Sequence, residues 1–501
     1  MTEQPVKHPT YGNWQLPKSP GLMGLDLMGS SVLIAAVLVT IFAIMLGGIL
    51  AGVAIAAASM PIIALLVVKN PATQQNGMQR LFIRLAWWQT RSAGNNHYRS
   101  GPLGKARWGT HQLPGLLANT KLNEYLDGWN RPYALLELPT RGHFSIVFQV
   151  EPEGSSLVDE PQQDVWVDRF GHVLSNLADE PGLVACMVTI ETAPDTGTRL
   201  QDHVGARIDP DAPALARQVL RELAQGAGGG AEVKAWVAMT FDSSLQGKRM
   251  SVDEFADELR PRLRGLGERF HGSGVGGSRA LSAQELCELT RAAYDPAAAV
   301  LIERNKLDGI VTPLLWSDVG PAGHDATWDA YRHDGAVSVT WSMTRAPLGE
   351  VHSNILKKLL EPHRSVQRKR VSIVYRLMDT GAAARTVEAD KRNATWNARN
   401  SKNPSEVVKA AVEKASKTAQ EQTRGASVTD FSLLVTATVL GDDLEAQRHA
   451  EATIENLGAS ARIALRRVYG SQDSAFVANL PLGVVLPEYL RVPRQVRQAS
   501  R

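Results

Sequence analysis

An α/β (α+β) body carried behind a two-helix transmembrane hairpin is the fold class this sequence predicts. Three observations point there. Residues 27–68, between Asp26 and Lys69, hold no charged side chain; from residue 132 onward, β-rich runs alternate with helical ones; and after residue 308 that order starts again. The expected plan is a polar leader (1–29), the hairpin (30–69), a basic juxtamembrane helix and connector (70–131), a first α/β unit (132–308), a second (309–487) and a basic tail (488–501).

The leader is rich in Pro and Gly and should lack regular structure, with Tyr11 and Trp14 as candidate headgroup-level aromatics. It also precedes too long an apolar run to be a secretory signal, so the run is expected to stay in the mature chain. At about 20 residues per bilayer crossing, 27–68 suffices for two helices, and Gly47-Gly48 offers the turn. Lys7 and Lys18 before the run and Lys69, Arg80, Arg84, Arg91 and Arg99 after it place both ends on the cytoplasmic side. Small residues in GGILAG and at 54–58 would let two such helices approach closely, and Pro61 would kink the second. In MQRLFIRLAWW, Leu81, Leu85 and Trp88 share one helical face while Arg80, Arg84 and Arg91 project elsewhere. That pattern suits either an interfacial helix or a plain basic stop after a membrane span. Residues 92–131 read as a connector, with 113–126 as a helix.

In the first unit, β-branched content and alternation predict strands at 133–138, 144–150, 183–192 and 233–241. Helices are predicted between and after them at 161–178, 212–225, 252–270 and 282–294, with Asp211 and Ser251 as caps. The second unit repeats the order, with strands at 312–316, 337–343, 370–377, 431–440 and 461–468 and helices at 348–360, 444–457 and 474–480. VTIETAPDTG at 188–197 and VSIVYRLMDTG at 371–381 fall at the same place in each half, which supports a duplication. Periodicity leaves the choice between a ferredoxin-like unit and a more open sheet undecided. The stretch 381–424 is too polar for a core and contains Pro404, so it reads as two solvated helical segments available to a partner.

The 54 basic and 51 acidic residues give a net charge of +3, too balanced to predict a nucleic-acid-binding body. Cys186 and Cys287 sit in apolar runs as small hydrophobes, which fits a reducing compartment and no zinc site. A phosphate loop needs GxxxxGK[ST]; at Gly247-Lys248 the first glycine is replaced by Asp242 and the hydroxyl by Arg249. GAGGG at 226–230 lies between a helix and a strand, the reverse of the order such a loop requires, and reads as a turn. The densest polar-aromatic cluster is HDATWDAYRHDGAV. Its His324, Asp325, Asp329, His333 and Asp334 are the types a metal site or acid/base pair uses, but the spacing matches no standard metal motif, and the plainer reading is a structured turn at Asp334-Gly335. No catalytic, cofactor-binding or metal residue is assigned, and none of the chain is expected to be an enzyme. The basic tail (Arg491, Arg494, Arg497, Arg501) reads as solvated, with anionic lipid or DNA as the other contacts its charge would suit.

EPGLVACMVTIETAPDTGTRL, RIDPDAPALA, WDAYRHDGAVSVTW and LRRVYGSQDSAFVANLPLG resemble segments of a family of actinobacterial integral membrane proteins of conjugative elements, from the hairpin to about Pro487. The C-terminal unit, with its polar helical region, a strand, a helix, a strand and a closing QDSAFVANLPLG, is also similar to the part of type IV secretion ATPases that precedes their motor domain. The resemblance implies a non-catalytic inner-membrane scaffold in an oligomeric assembly. Its partners would be the bilayer, a separate conjugation-type ATPase and other channel subunits, and no cofactor is implied. EccE-type membrane components of type VII secretion share the coarse architecture and form the alternative. A membrane-tethered enzyme using the His324–Asp334 cluster is the third.

Overall fold

The computed structural model describes residues 9–12, 27–67, 75–104, 110–154, 158–194, 204, 207–209, 211–226, 230–245, 248–347, 349–378, 380–400, 406–423 and 429–489. Trp14, the basic tail and most of GAGGG lie outside them. The chain divides into two compact units, one built mainly on residues 27–95, the other on 9–12, 96–343 and 347–489.

The first unit holds α1 (Leu27–Val67) and α2 (Gly77–Ser92). Within α1, Leu33–Pro61 has a mean hydropathy of 2.8 and is largely exposed, so one N-terminal helix is long and apolar enough to cross a membrane. Two helices were expected; the structure carries one helical run with a single break, at Gly48 (φ 76°, ψ −179°), a conformation that glycine adopts without a Cβ penalty. Helix α2 leaves Leu81, Phe82, Leu85 and Trp88 exposed along one side.

The second unit is organised by a 13-stranded sheet. Its strands are β1 (His97–Arg99), β2 (Lys121–Leu126), β3 (Pro132–Leu138), β4 (His143–Glu151), β5 (Leu183–Pro194), β6 (Ala231–Asp242), β9 (Gly277–Ala280), β10 (Gly323–Ala326), β11 (Tyr331–His333), β12 (Ala336–Arg345), β13 (Arg368–Leu377), β14 (Thr429–Leu440) and β15 (Ala464–Arg467). The spatial order is β1-β10-β11-β12-β14-β13-β5-β6-β4-β3-β2, with β9 on β4 and β15 on β12. A separate short hairpin pairs β7 (Ser244–Leu245) with β8 (Lys248–Arg249).

Helices connect the strands in a matching way in both halves. The first half runs β4, α3 (Glu160–Ala178), β5, α4 (Ala214–Gly226), β6, α5 (Val252–Glu268), β9; its sheet order is β9-β4-β6-β5. The second runs β12, α8 (Lys357–Leu360), β13, α9 (Thr380–Asn400), α10 (Glu406–Thr423), β14, α11 (Leu444–Ser460), β15, in the order β15-β12-β14-β13. Each is the 4-1-3-2 antiparallel order of a ferredoxin-like unit, the point that periodicity left open. The halves meet edge to edge where β13 pairs antiparallel with β5, from Lys369 opposite Thr192 to Arg376 opposite Ala185, so one sheet runs through both. Helices α6 (Ala283–Tyr294) and α7 (Pro296–Leu307) connect the halves, and α12 (Gln472–Ala478) follows the second. Helices α5 and α6 begin with reciprocal caps, in which Ser251 and Ser282 accept from the amides of Glu254 and Glu285, whose carboxylates turn back to the cap amides.

Several expectations are corrected. Residues 113–126 are not a helix: Lys121–Leu126 is an edge strand, with Leu122 packed against the cluster on one face of the sheet and Tyr125 against the cluster on the other. Residues 312–316 form no strand, and 348–360 is helical only at Lys357–Leu360. Tyr11 is tied to the second unit, where its N–H and C=O both bond Val351 at 2.8 Å. Strands β1, β9, β10 and β11 were not foreseen, being three or four residues long and held by their neighbours rather than by their own pattern.

The two faces of the sheet differ chemically. Ile146, Phe148, Cys186, Val237 and Met239 face α5 through Phe255, Leu259, Leu263 and Leu266, and Val339, Trp341, Leu433 and Val435 share a cluster with Ile454 of α11. The intervening residues point to the other face. There Ser145, Thr240, Thr189, Ser372, Thr436, Thr340 and Ser338 are buried hydroxyls on six strands, set among Arg370, Glu191 and the apolar Met187, Trp236 and Ala238.

Candidate functional site

The sequence cluster His324–Asp334 lies on β10, β11 and the turns between them. His324 and His333 are register partners across β10 and β11, so the strand pairing brings together two residues that sequence spacing kept apart. Their side chains are nevertheless committed elsewhere. His333 is 1% exposed. Its Nδ1 lies 2.5 Å from the carbonyl oxygen of Tyr294, which can only accept, so Nδ1 donates and Nε2 accepts from Ser338 Oγ at 2.7 Å. Ser338 Oγ in turn accepts from Thr438 Oγ1 at 2.7 Å. Burial holds His333 down at about 4, so the imidazole is neutral, and it is this that makes Nε2 the acceptor in the chain. His324 stacks on Tyr98 (5.3 Å between ring centres), and burial lowers it to about 4 as well.

The acidic members are equally occupied. Asp334 adopts φ 44° in the turn, where its carboxylate accepts from the amides of Ala322 (2.7 Å) and Gly323 (3.3 Å), and Arg291 lies 3.5 Å away. Asp325 contacts His97 (3.1 Å) and Asn96 (3.4 Å), while Asp329 takes the Thr327 hydroxyl (3.2 Å) with Arg467 at 3.6 Å. The five residues therefore point to separate partners. Among the described residues no group of His, Cys, Asp or Glu is arranged to hold a metal.

A second polar concentration, which sequence reasoning missed, is the set of buried hydroxyls and the segment that covers it. From α12 to Val485 the chain lies on this face, with Gln472, Phe476, Asn479, Leu480, Leu482 and Val484 buried. Gln472 accepts from the Thr340 amide (2.8 Å), and Asn479 donates to the Arg370 carbonyl (3.0 Å) and to Thr436 Oγ1 (2.7 Å). The Gly483 carbonyl accepts from Thr240 Oγ1 at 2.7 Å. The strap thus touches β12, β14, β13 and β6, spanning both halves. Beside it Arg370 makes a charge-assisted contact to Glu191 across the β5–β13 seam, and Arg368 lies 3.4 Å from the same carboxylate. The two arginines hold Glu191 below the usual carboxylate range even though burial opposes it. The available signal was QDSAFVANLPLG itself, an apolar run carrying Gln472 and Asn479.

Cys186 and Cys287 are free and buried, each thiol pushed up to about 12 by burial, so neither is a poised nucleophile. The polar stretch 381–424 is two helices, α9 and α10, packed on each other through Ala383, Val387, Ala394 and Ala415, with Trp396 65% exposed. Residues 18–78 match a family model described as a domain of unknown function (DUF8461), a stretch that includes the whole of α1. No curated protein matches the chain.

Proposed function

We propose that this protein is a non-catalytic membrane-anchored scaffold of a conjugative type IV secretion machine, holding a separate ATPase at the inner face of the cytoplasmic membrane. The observation that carries the reading is a largely exposed apolar helix joined to a body whose densest ionisable cluster is spent on its own framework. A side chain that burial holds neutral, with both ring nitrogens taken by Tyr294 and Ser338, is a poor proton shuttle. The segment resemblances supply the machine, and the solvated pair α9–α10, with Trp396 at its surface, supplies a surface for a partner.

The finer part of the proposal is that α1 crosses the membrane twice. Its support is the break at Gly48, together with the position a Cβ on Gly52 would take, against Cγ1 and Cδ1 of Ile44. Along an unbroken helix, eight residues span about 12 Å. Partly covered Leu33, Ala36, Thr40 and Ala43 on one side of the break, and Ile55, Ala56 and Ser59 on the other, recur at three- and four-residue spacing, as two facing helices require. Co-purification of the full chain in mild detergent should recover an ATPase and channel subunits at near-stoichiometric level; recovery of the chain alone would sink the scaffold reading. Reporters fused at the C-terminus and inserted at Gly48 should report opposite sides of the membrane, and a same-side result would end the hairpin.

A further inference from the structure

Between Asp26 and Glu124 the chain holds no acidic residue, while eight lysines and arginines fall in the same stretch. The overall charge of +3 hides this local excess. Helix α2 lies inside the stretch, and from residue 75 to residue 104 the chain is described without a gap. The helix sets its own limits: the Gln79 side chain accepts from the Asn76 amide at 3.2 Å at its start, and Arg91 stands in its last turn.

The sides of α2 are unlike. At about 100° per residue, Leu81, Leu85 and Trp88 fall within about 60° of one another around the axis, with Phe82 beside them. All four are exposed, Trp88 by 66%. Ile83, Trp87 and Thr90, on the other side, are partly covered, so the side that touches protein and the apolar side are different ones. Arg80, Arg84 and Arg91 form a line along the margin next to Trp88. Among the described residues none of their guanidinium groups has a hydrogen-bond or ion-pair partner.

That pairing of features selects the occupant. A nucleic acid would take the cations and leave Leu81, Phe82 and Leu85 in water. An anionic bilayer takes both at once, because acyl chains receive the stripe, Trp88 suits the headgroup level and long arginine side chains reach the phosphates. A bilayer is also the surface that the apolar α1 fits, and α1 belongs to the same compact unit as α2.

We infer that α2 lies in the plane of the membrane's cytoplasmic leaflet, its Leu81–Trp88 stripe among the acyl chains and Arg80, Arg84 and Arg91 on anionic phospholipid headgroups. The inference rests on the membrane reading of α1 above. It adds a contact that responds to lipid charge, which α1 cannot supply because it carries no charged residue.

The purified full-length chain, given one added cysteine, spin-labelled and placed in nanodiscs, tests it without any other protein present; Cys186 and Cys287 are buried and contribute little background. For a label at Leu81→Cys, the ratio of collisions with oxygen to collisions with a water-soluble nickel complex should rise roughly ten-fold from phosphatidylcholine discs to discs containing phosphatidylglycerol. A label at Thr90→Cys, nine residues on and on the opposite side of the helix, should not follow it. The triple variant Arg80→Gln/Arg84→Gln/Arg91→Gln should abolish the rise at Leu81. A Leu81 label as water-accessible as the Thr90 label in phosphatidylglycerol discs, a rise that survives the triple variant, or immobilisation by added single-stranded DNA in place of phosphatidylglycerol each overturns the inference. A label at Val37→Cys on α1, 51% exposed, reports on the tether and should be lipid-accessible in both discs. Lipid contact at Val37 without any at Leu81 removes the α2 contact alone, whereas no lipid contact at Val37 removes the membrane reading and this inference with it.

Discussion

At the scale of single residues, the groups that look most chemical are the ones most thoroughly used up. Burial keeps His333 neutral against the opposing pull of the Tyr294 carbonyl, its Nε2 takes the Ser338 hydroxyl, and Nδ1 of His324 is left buried without a partner. Both imidazoles titrate near 4 folded against about 6.5 unfolded, so the unfolded chain takes up their protons first. Their contribution is complete above pH 6.5 and is lost as pH falls toward 4, by up to about 3 kcal/mol each. Replacing His324 with Phe keeps the stack on Tyr98 and removes the unpartnered nitrogen. Denaturant unfolding of the variant should show unchanged or higher stability at pH 7 and a shallower loss between pH 6.5 and 4; an unaltered pH slope would show that His324 is hydrated in the folded state.

At the scale of elements, the strap from α12 to Val485 holds the polar face closed. Gly483 lies at φ 72°, and a Cβ there would collide with the Ser145 and Thr240 hydroxyls. Gly483→Ala therefore combines backbone strain with a displaced hydrogen bond, and a loss of about 2–4 kcal/mol is expected in chemical denaturation. Gly335→Ala, in a turn with open space around its Cβ position, serves as the control and should cost under about 1 kcal/mol. Helix identity itself follows from local chemistry at α5 and α6, where Ser251 with Glu254 and Ser282 with Glu285 mark each start in the sequence as well as in space.

At the scale of the whole molecule, the ion group Glu191, Arg370 and Arg368 sits on the line where the two halves of the sheet meet. Glu191→Gln leaves two buried or nearly buried guanidinium groups without their counter-charge, which costs about 3–5 kcal/mol for a buried pair. Because β5 and β13 belong to different halves of one sheet, this substitution and Gly483→Ala are expected to shift a single common unfolding transition followed by tryptophan fluorescence and by far-UV circular dichroism. Two separated transitions, only one of them moved by Glu191→Gln, would mean the halves unfold independently.

The sequence by itself determined the charge-free apolar run, the alternation of strands with helices, the repeat of that order, the two polar helices after β13 and the turn at Asp334-Gly335. Each of these is written in local composition, in periodicity or in the left-handed backbone that Asp tolerates. Only the tertiary structure decided that both halves share one sheet, that one face of it carries buried hydroxyls, and that an apolar-looking C-terminal run is the strap that covers them. Those features depend on partners 43 to 243 residues apart, such as Thr436 with Asn479 and Thr240 with Gly483, and no local pattern encodes a partner at that distance. The break at Gly48 stands between the two: glycine in the sequence permitted it, and the backbone geometry showed that the chain uses it.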